Sequence, residues 1–360
     1  MADRLDPVRA GFAFANAFVN VVVRLPGGRP VRTAGRCGGM SYSVLDHAGA
    51  GRDVPVWPAA LFAPERVPPD GHALADHLRA RQLDSFRTPS ALRFLTWSVL
   101  PDADLGPLAG VRTRTRRQLP GVLRALGQGR PVVLGMVVAR GLLRSGDNHQ
   151  VVATGATRDP ATGAVVLTVL DPNTPRREVT LTEAPDGWRA SNGRVWRGFF
   201  RHAYAPRTPP ALPGASARPT ARVHAGRPLP LVHVATGRLL VVDGARNVRL
   251  RTSGFTAWTP TAPGADLLSD GAVVTLTTAG SRPGRSPDGA GLALAGGAPV
   301  VRDAPDAWRV VVDGGGPWRE GSRVRLVHTT TGALLRGDRT GPGTGFSPDA
   351  STWWTVAARS

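Results

Sequence analysis

The chain contains a single cysteine, Cys37, in a segment that runs Gly-Arg-Cys-Gly-Gly-Met-Ser over residues 35–41. Apolar residues follow at helical spacing, which predicts a helix that begins close to the cysteine and ends near Gly49. A thiol in the first turn of a helix lies at the positive end of the helix dipole, which lowers its pKa and favours the reactive thiolate. The alternative is a small buried core residue, as free cysteines often are.

A predicted β-hairpin further along the chain carries a histidine and two carbonyl-bearing side chains. The first strand begins at His149, and the return strand ends just before Asp171 and Asn173. Antiparallel pairing places His149 opposite Asp171 if the turn centres on Pro160, and opposite Asn173 if it centres on Ala161. Because these two partners are two residues apart, both share the sheet face of His149.

A cysteine, a histidine and an Asp or Asn can together perform nucleophilic acyl chemistry. The Cys37 thiolate attacks a carbonyl carbon, His149 takes and returns a proton, and Asp171 or Asn173 holds the imidazole in the required tautomer. A structural His–Asp pair is the alternative for the hairpin alone. Together with the single cysteine ahead of a helix, the pattern predicts a catalytic triad of Cys37, His149 and Asp171, with Asn173 in reserve.

Several regular elements must position these residues. Apolar periodicity predicts helices over 73–82, 90–97 and 115–128. An unbroken apolar run over 131–138 is typical of a buried central strand. Helices mixed with a hairpin and a buried strand predict an α+β domain over the first part of the chain.

The residues around the triad resemble those of the papain-like cysteine peptidases, and most closely the branch that contains the bacteriocin-leader peptidases of ABC transporters. In that branch a Cys-Gly opens a helix, a His followed by small apolar residues opens a strand, and Asp-Pro follows the next strand. Cys37-Gly38, the 149–152 segment and Asp171-Pro172 match those places. Further segments resemble a poorly characterised group of bacterial proteins: 11–16, 36–40, 81–86, 148–151, 171–173 and 197–200. The resemblance implies a papain-like α+β fold for residues 1–205, a peptide or amide substrate, and neither a metal nor a cofactor.

One position departs from the papain pattern. That pattern has a glutamine six residues before the cysteine, which donates to the oxyanion, whereas this chain has Val31. The side-chain donor is therefore unassigned, and the candidates are Asn16, Asn20, Gln82 and Asn148. Loss of such a donor costs on the order of 10²–10³ in rate, so a catalytically impaired site stays open as a second hypothesis.

Residues 206–227 are rich in Pro, Ala and Arg, which predicts a semi-extended linker. An internal repeat follows over residues 228–360. Leu231, Leu276 and Leu326 open three related segments, and each repeat closes near a tryptophan: Trp258, Trp308 and Trp354. Three such units resemble an all-β trefoil domain, and the Leu-x-His-x-x-Thr-Gly-x-x-Leu pattern resembles the lectin-like MIR trefoils.

His233 and His328 occupy the same place in two of the repeats. They are candidates for ligand contacts, but a repeated feature usually belongs to the fold, which favours packing against the Thr-Gly turn. The three closing tryptophans are likewise interpreted as core residues rather than sugar platforms. Trefoils often bind glycans, so a glycan is a possible partner by analogy of fold alone.

Composition restricts the remaining function classes. The 360 residues carry a formal net charge of +19, and every basic residue is an arginine. The arginines are scattered and no nucleic-acid motif accompanies them, so nucleic acid is not expected as a partner. Asn16 and Asn20 interrupt the apolar run over 12–23, which argues against a secretory signal or a membrane span. We therefore expect a cytoplasmic location, with export by a route that needs no signal peptide left open.

Two functions follow from the sequence. The first is a thiol hydrolase, either a cysteine peptidase or an amidase, that carries a trefoil module for targeting or glycan binding. The alternative is a catalytically impaired peptidase fold that acts as a carbohydrate- or protein-binding protein. The missing glutamine motivates this alternative.

Overall fold

The computed structural model describes residues 5–24, 30–216, 218–279 and 289–358. The chain forms two compact units. The first unit comprises Met1–Val54 and His77–Pro209, and the second comprises Pro55–Asp76 and Pro210–Ser360. No helix in the described ranges is both long and apolar enough to cross a membrane.

Helices and antiparallel strands together give the first unit an α+β architecture. The α-helices are α1 (Pro7–Ala10), α2 (Cys37–Gly49), α3 (Ala73–Phe86), α4 (Pro89–Val99) and α5 (Val111–Gly127). The strands are β1 (Val19–Arg24), β2 (Pro30–Ala34), β3 (Val132–Val137), β4 (His149–Arg158), β5 (Val165–Leu170), β6 (Glu178–Ala184), β7 (Gly187–Ala190), β8 (Val195–Trp196) and β9 (Gly198–Arg201). The three helices expected over 73–128 and the buried strand near 131–138 are thereby confirmed, with ends shifted by up to four residues.

The larger sheet of this unit has the strand order β8-β7-β6-β5-β4-β3-β9. All six residues of β3 are buried, and the strand is hydrogen-bonded to β4 on one edge and to β9 on the other. Val122, Ala125 and Leu126 of α5 belong to the same apolar cluster as Leu134 and Met136 of β3. The amphipathic stripe of α5 therefore covers one face of the sheet.

The sequence allowed two registers for the hairpin of β4 and β5, with the turn centred on Pro160 or on Ala161. Val152 pairs with Leu170. A bulge between Ala153 and Gly155 then changes the register by one residue for the pairs that lie between the bulge and the turn. The Val152–Leu170 pairing corresponds to the turn centre at Ala161. A β-bulge places one extra residue in one strand and re-aims the side chains beside it.

The second unit is built mainly of β-strands. Its strands are β10 (Leu231–His233), β11 (Arg238–Val242), β12 (Val248–Arg251), β13 (Ala257–Thr261), β14 (Val273–Ala279), β15 (Gly291–Ala295), β16 (Ala298–Arg302), β17 (Ala307–Val312), β18 (Val324–His328), β19 (Leu334–Gly337), β20 (Pro342–Gly345) and β21 (Trp354–Val356). Strand pairs β13-β14, β14-β17, β17-β18, β18-β21 and β21-β10 follow one another, and a bridge between Leu229 and Trp258 closes the ring. The hairpins β11-β12, β15-β16 and β19-β20 project from it. Three repeats of four strands around a closed ring are the arrangement of a β-trefoil.

The closing tryptophan of each repeat has the same role in the core. Trp258 donates its indole N–H to the carbonyl of Leu240, Trp308 to that of Leu292 and Trp354 to that of Leu335, at 2.9, 3.2 and 3.0 Å. All three rings are fully buried in one apolar cluster. The repeat in the sequence is therefore a repeat of core packing, in which a large ring also satisfies a carbonyl of the neighbouring hairpin.

Candidate active site

Cys37 is the first residue of α2. The preceding residues turn the chain into the helix, with Gly35 at φ +83°, a conformation that favours glycine. Cys37 is partly exposed, whereas the next three residues of the helix are buried. The thiol thus lies at the positive end of the helix dipole.

Most backbone N–H groups in the first turn of α2 have a hydrogen-bond acceptor. Met40 donates to the carbonyl of Arg36 at 2.9 Å. Gly39 donates to Oε1 of Gln82 at 2.9 Å, and the backbone of Gly38 hydrogen-bonds the Cys37 sulfur. A helix start leaves such donors without intrahelical partners, and here α3 and the thiol itself accept from two of them.

Both glycines after the cysteine are closely approached by other elements, Gly39 by backbone and Gly38 by side chains. A Cβ at Gly39 would lie 2.0 Å from the carbonyl oxygen of Leu78, and a Cβ at Gly38 would lie 2.6 Å from the side-chain amide of Gln150. These distances are shorter than any van der Waals contact. The Gly-Gly pair therefore lets α3 and β4 pack directly against the start of the cysteine helix.

His149 is the first residue of β4 and is 5% exposed. Its Nε2 lies 2.7 Å from Oδ1 of Asp171 and 3.3 Å from the amide Nδ2 of Asn173. The ring of Trp196 is nearly parallel to the imidazole, at 8° and with 5.8 Å between ring centres. The structure thus brings both candidate partners of the histidine to the same nitrogen. The other ring nitrogen, Nδ1, is left for the thiol.

Asp171 follows β5 and is itself held in place. Its Oδ1 accepts the backbone N–H of Asn173 at 2.8 Å, and its Oδ2 accepts Nδ2 of Asn192 at 2.9 Å. Burial raises the pKa of Asp171, but the hydrogen bond and charge of His149, with these two donors, lower it below its usual value. Asp171 is therefore an ionised, oriented acceptor, and Asn173 supports the carboxylate rather than replacing it.

The thiol and the imidazole shift each other's pKa. Burial raises the pKa of Cys37, but the hydrogen bond and charge of His149 and the backbone N–H groups of Gln150 and Gly38 lower it below the ordinary thiol value. Burial lowers the pKa of His149, but hydrogen bonds and charges of Asp171 and Cys37 raise it to about 10. These opposite shifts favour a thiolate beside an imidazolium near neutral pH.

The four oxyanion candidates lie in different surroundings. Asn16 accepts the N–H of Arg36 with its Oδ1 and is half-buried. Gln82 is 8% exposed and its Oε1 faces Gly39. Asn148 accepts the N–H groups of Val138 and Ala139 and donates to Ser98, so its amide joins the ends of β3 and β4 to α4. The side chain of Asn20 lies outside the described residues.

Three residues of the site were missed by the sequence reasoning: Gln150, Asn192 and Trp196. Gln150 directly follows the histidine, so its place against Gly38 could have been inferred from the strand. Asn192 and Trp196 come from the β7–β8 region, and no motif marks either one. Their contacts depend on how the sheet brings β8 back toward His149.

His233 and His328 lie inside the repeats of the second unit, at 0% and 6% exposure. Nδ1 of His233 bonds Thr236 at 2.9 Å, and its Nε2 bonds the carbonyl of Ser351 at 2.8 Å. His328 bonds Thr331 at 2.9 Å and Asp306 at 3.0 Å in the same way. Both ring nitrogens of each histidine are thus taken by groups of the trefoil itself: Nδ1 bonds the threonine of the same repeat, and Nε2 bonds a group of another repeat. Among the described residues, no group of three or more His, Cys, Asp and Glu side chains is placed to hold a metal ion.

No protein-family model and no curated protein matches the chain. Similar solved structures include the SDF2-like protein from Arabidopsis thaliana, at 19% identity and a TM-score of 0.29 over 38% of this chain and 95% of that chain. SeviL bound to asialo-GM1 saccharide is 12% identical, with a TM-score of 0.27 over 37% and 97% of the two chains. Botulinum neurotoxin type C, whose cell entry depends on interaction with two ganglioside molecules, is 8% identical, with a TM-score of 0.26 over 57% and 74%. Likenesses this distant give the peptidase resemblance no support and assign no activity.

Proposed function

We propose that the first unit is a papain-like thiol hydrolase that cleaves a peptide or amide bond. The observation that carries the proposal is the chain of hydrogen bonds from Cys37 through His149 to Asp171, in which His149 and Asp171 are 2.7 Å apart. The nucleophile comes from the start of a helix, the base from the start of a strand, and the orienting carboxylate from the end of the next strand. Nucleophile, base and orienter within hydrogen-bond reach are the signature of an activated thiol.

In the first step the Cys37 thiolate attacks the carbonyl carbon of the substrate, and the carbonyl π electrons move to oxygen. The tetrahedral intermediate collapses, the carbon–nitrogen bond breaks, and the imidazolium of His149 gives its proton to the leaving amine. Asp171 stays ionised and holds the ring, so that Nε2–H faces the carboxylate while Nδ1 faces the sulfur. The product of this step is a thioester on Cys37.

In the second step neutral His149 takes a proton from water, and the resulting hydroxide adds to the thioester carbonyl. The carbon–sulfur bond breaks, the acid product leaves, and the thiolate–imidazolium pair is restored. Trp196 covers one face of the imidazole, which keeps bulk water away from the His149–Asp171 hydrogen bond. If an amine or alcohol acceptor enters in place of water, the same residues catalyse acyl transfer.

The experiment that tests the proposal is acylation with p-nitrophenyl acetate. The chain has no lysine and no second cysteine, so few other nucleophiles compete for the acetyl group. We expect a burst of p-nitrophenolate and a single acetyl adduct that peptide mapping assigns to Cys37. The burst should be absent in Cys37→Ala. A burst of the same size in that variant, or no adduct on the wild type, would overturn the proposal.

A second candidate is carbohydrate or protein binding by a peptidase fold whose site is impaired. Valine at position 31, where the papain pattern has its oxyanion glutamine, favours it, and glycan binding would then belong to the trefoil unit. The test is an array of glycans that includes asialo-GM1 and gangliosides, probed with the full chain and with Cys37→Ala. Equal binding of both proteins to one glycan class, without acylation of the wild type, would favour this candidate over the hydrolase.

A further inference from the structure

The proposed thiol hydrolase needs two hydrogen-bond donors for the oxygen that becomes negative in the tetrahedral intermediate. The backbone N–H of Cys37 is suited to be one of them, and the described residues offer it no acceptor. The usual side-chain donor is missing because Val31 stands in its place, within β2. A second donor must therefore come from a different segment.

Asn16 connects the two halves of the site. Its side-chain Oδ1 accepts the N–H of Arg36, the residue before the nucleophile. Its backbone N–H donates to the carbonyl of Pro172 at 3.0 Å, directly after the orienting Asp171. Because a backbone N–H can only donate, the first bond fixes which end of the amide is oxygen, and the Nδ2 group is left to donate elsewhere.

The place of Nδ2 follows from Gly35. A Cβ on this glycine would lie 2.5 Å from Nδ2 of Asn16, and the glycine has φ +83°. The amide nitrogen therefore lies against the backbone two residues before Cys37. A side chain at position 35 would both strain the backbone and displace the amide.

The other candidates do not have this combination of place and access. Gln82 is 8% exposed and caps Gly39 from the side of α3. Asn148 uses its oxygen on two backbone N–H groups and its nitrogen on Ser98. Asn16, by contrast, is half-buried and bonds the residue directly before the partly exposed Cys37.

We infer that Nδ2 of Asn16 and the backbone N–H of Cys37 form the oxyanion hole of the proposed hydrolase. Asn16 replaces the missing glutamine as the side-chain donor. It lies in the loop that precedes β1, whereas the glutamine of the papain pattern lies just before the cysteine. When the thiolate adds to the carbonyl carbon, the displaced electron pair resides on the carbonyl oxygen, which then accepts from both donors. The bonds weaken when the oxygen re-forms its double bond and the amine leaves.

The inference rests on the proposed function, and its test separates the two. Acylation of Cys37 by p-nitrophenyl acetate forms an oxyanion, whereas alkylation by iodoacetamide displaces iodide and forms none. Both rate constants are measured at a pH where the thiol is fully ionised, for wild type, Asn16→Ala and Asn16→Asp. Asn16→Asp keeps an oxygen for the N–H of Arg36 but has no donor. The matched control is Asn247→Ala, which removes an exposed amide in the second unit that bonds Asp243.

We expect acylation to fall by about 10²–10³ in both Asn16 variants, while the alkylation rate constant of Asn16→Ala stays at the wild-type value. Asn247→Ala should change neither reaction. Unchanged acylation in both variants, or an equal loss of acylation and alkylation, would overturn the role of Asn16 and leave the triad intact. Absence of acylation in the wild type would instead remove the proposed function itself.

Discussion

Nε2 of His149 lies 2.7 Å from Oδ1 of Asp171, and both side chains are buried. This bond determines which nitrogen of the imidazole can serve the nucleophile. With Nε2–H donating to the carboxylate, Nδ1 is the nitrogen that can share a proton with Cys37. The reactivity of the thiol is therefore predicted to depend on a residue that does not touch it.

Replacing Asp171 by Asn should remove this control while keeping the shape of the side chain. The amide can present its N–H to Nε2 and so favour the wrong tautomer, for which we expect acylation of Cys37 to fall by up to about 10⁴-fold. The measurement is the burst rate with p-nitrophenyl acetate. Asp159→Asn is the matched control, because Asp159 lies in the turn of the same hairpin and accepts the N–H groups of Ala161 and Thr162. Equal rates in the two variants would show that Asp171 has no orienting role.

The glycine pair after Cys37 predicts a contrast within one helix. Gly39→Ala forces a Cβ to 2.0 Å from the carbonyl of Leu78, and overpacking of this kind destabilises by about 1–3 kcal/mol. Gly49, at the other end of α2, has no atom within 4 Å of an added Cβ, so Gly49→Ala should stabilise by about 0.4–1 kcal/mol. Urea unfolding of both variants measures the difference. Equal stability of the two would contradict the close approach of α3 to the cysteine helix.

The raised pKa of His149 predicts how its contribution to stability changes with pH. A group whose pKa is raised by folding from 6.5 to about 10 stabilises fully below the unfolded value and loses that contribution as pH rises through the folded value. The free energy of unfolding of wild type minus that of His149→Ala should therefore be largest near and below pH 6.5 and shrink toward pH 10. Chemical denaturation across this range tests it, with His224→Ala as the control. A difference that grows with pH would show that the imidazole is buried in its neutral form.

Two adjacent tryptophans in the trefoil should differ in their effect on stability. Trp354 is fully buried and donates to the carbonyl of Leu335 at 3.0 Å, whereas Trp353 is half-buried beneath the guanidinium of Arg325 at 3.6 Å. Trp354→Phe leaves a buried carbonyl without its donor, which costs about 1–3 kcal/mol. Trp353→Phe keeps an aromatic ring under the arginine and should cost less. Thermal unfolding of the two variants measures the difference in stability. A larger loss of stability for Trp353→Phe than for Trp354→Phe would contradict the core role assigned to the repeated tryptophan.

The hairpin shows how far local sequence carries a prediction. The side-chain period of two placed both Asp171 and Asn173 on the face of His149, and both are within 3.3 Å of its Nε2. The choice between them could not be made from the sequence. A bulge between Ala153 and Gly155 sets the register, and the carboxylate is then held by Asn192, which lies outside the hairpin.

Contacts between distant segments account for what the sequence could not show. Asn16 meets Arg36 and Pro172 only after β1 and β5 are in place. The 55–76 segment belongs to the second unit although it lies early in the chain. One reason is visible at Trp57, whose indole N–H donates to the carbonyl of Pro213 at 2.9 Å. No periodicity or motif near Trp57 or Pro213 indicates that these two residues meet. The trefoil, in contrast, could be predicted from the sequence because its core residues recur in three repeats.

The central claim is that Cys37 and His149 form a thiolate–imidazolium pair. Its most direct test is the pH dependence of iodoacetamide alkylation at Cys37 in wild type and in His149→Ala. We predict that the wild-type rate rises with an inflection well below the free-thiol value of ~8.5, and that the inflection returns to the ordinary thiol range in the variant. A slow reaction with the same ordinary inflection in both proteins would contradict the pair and, with it, the hydrolase.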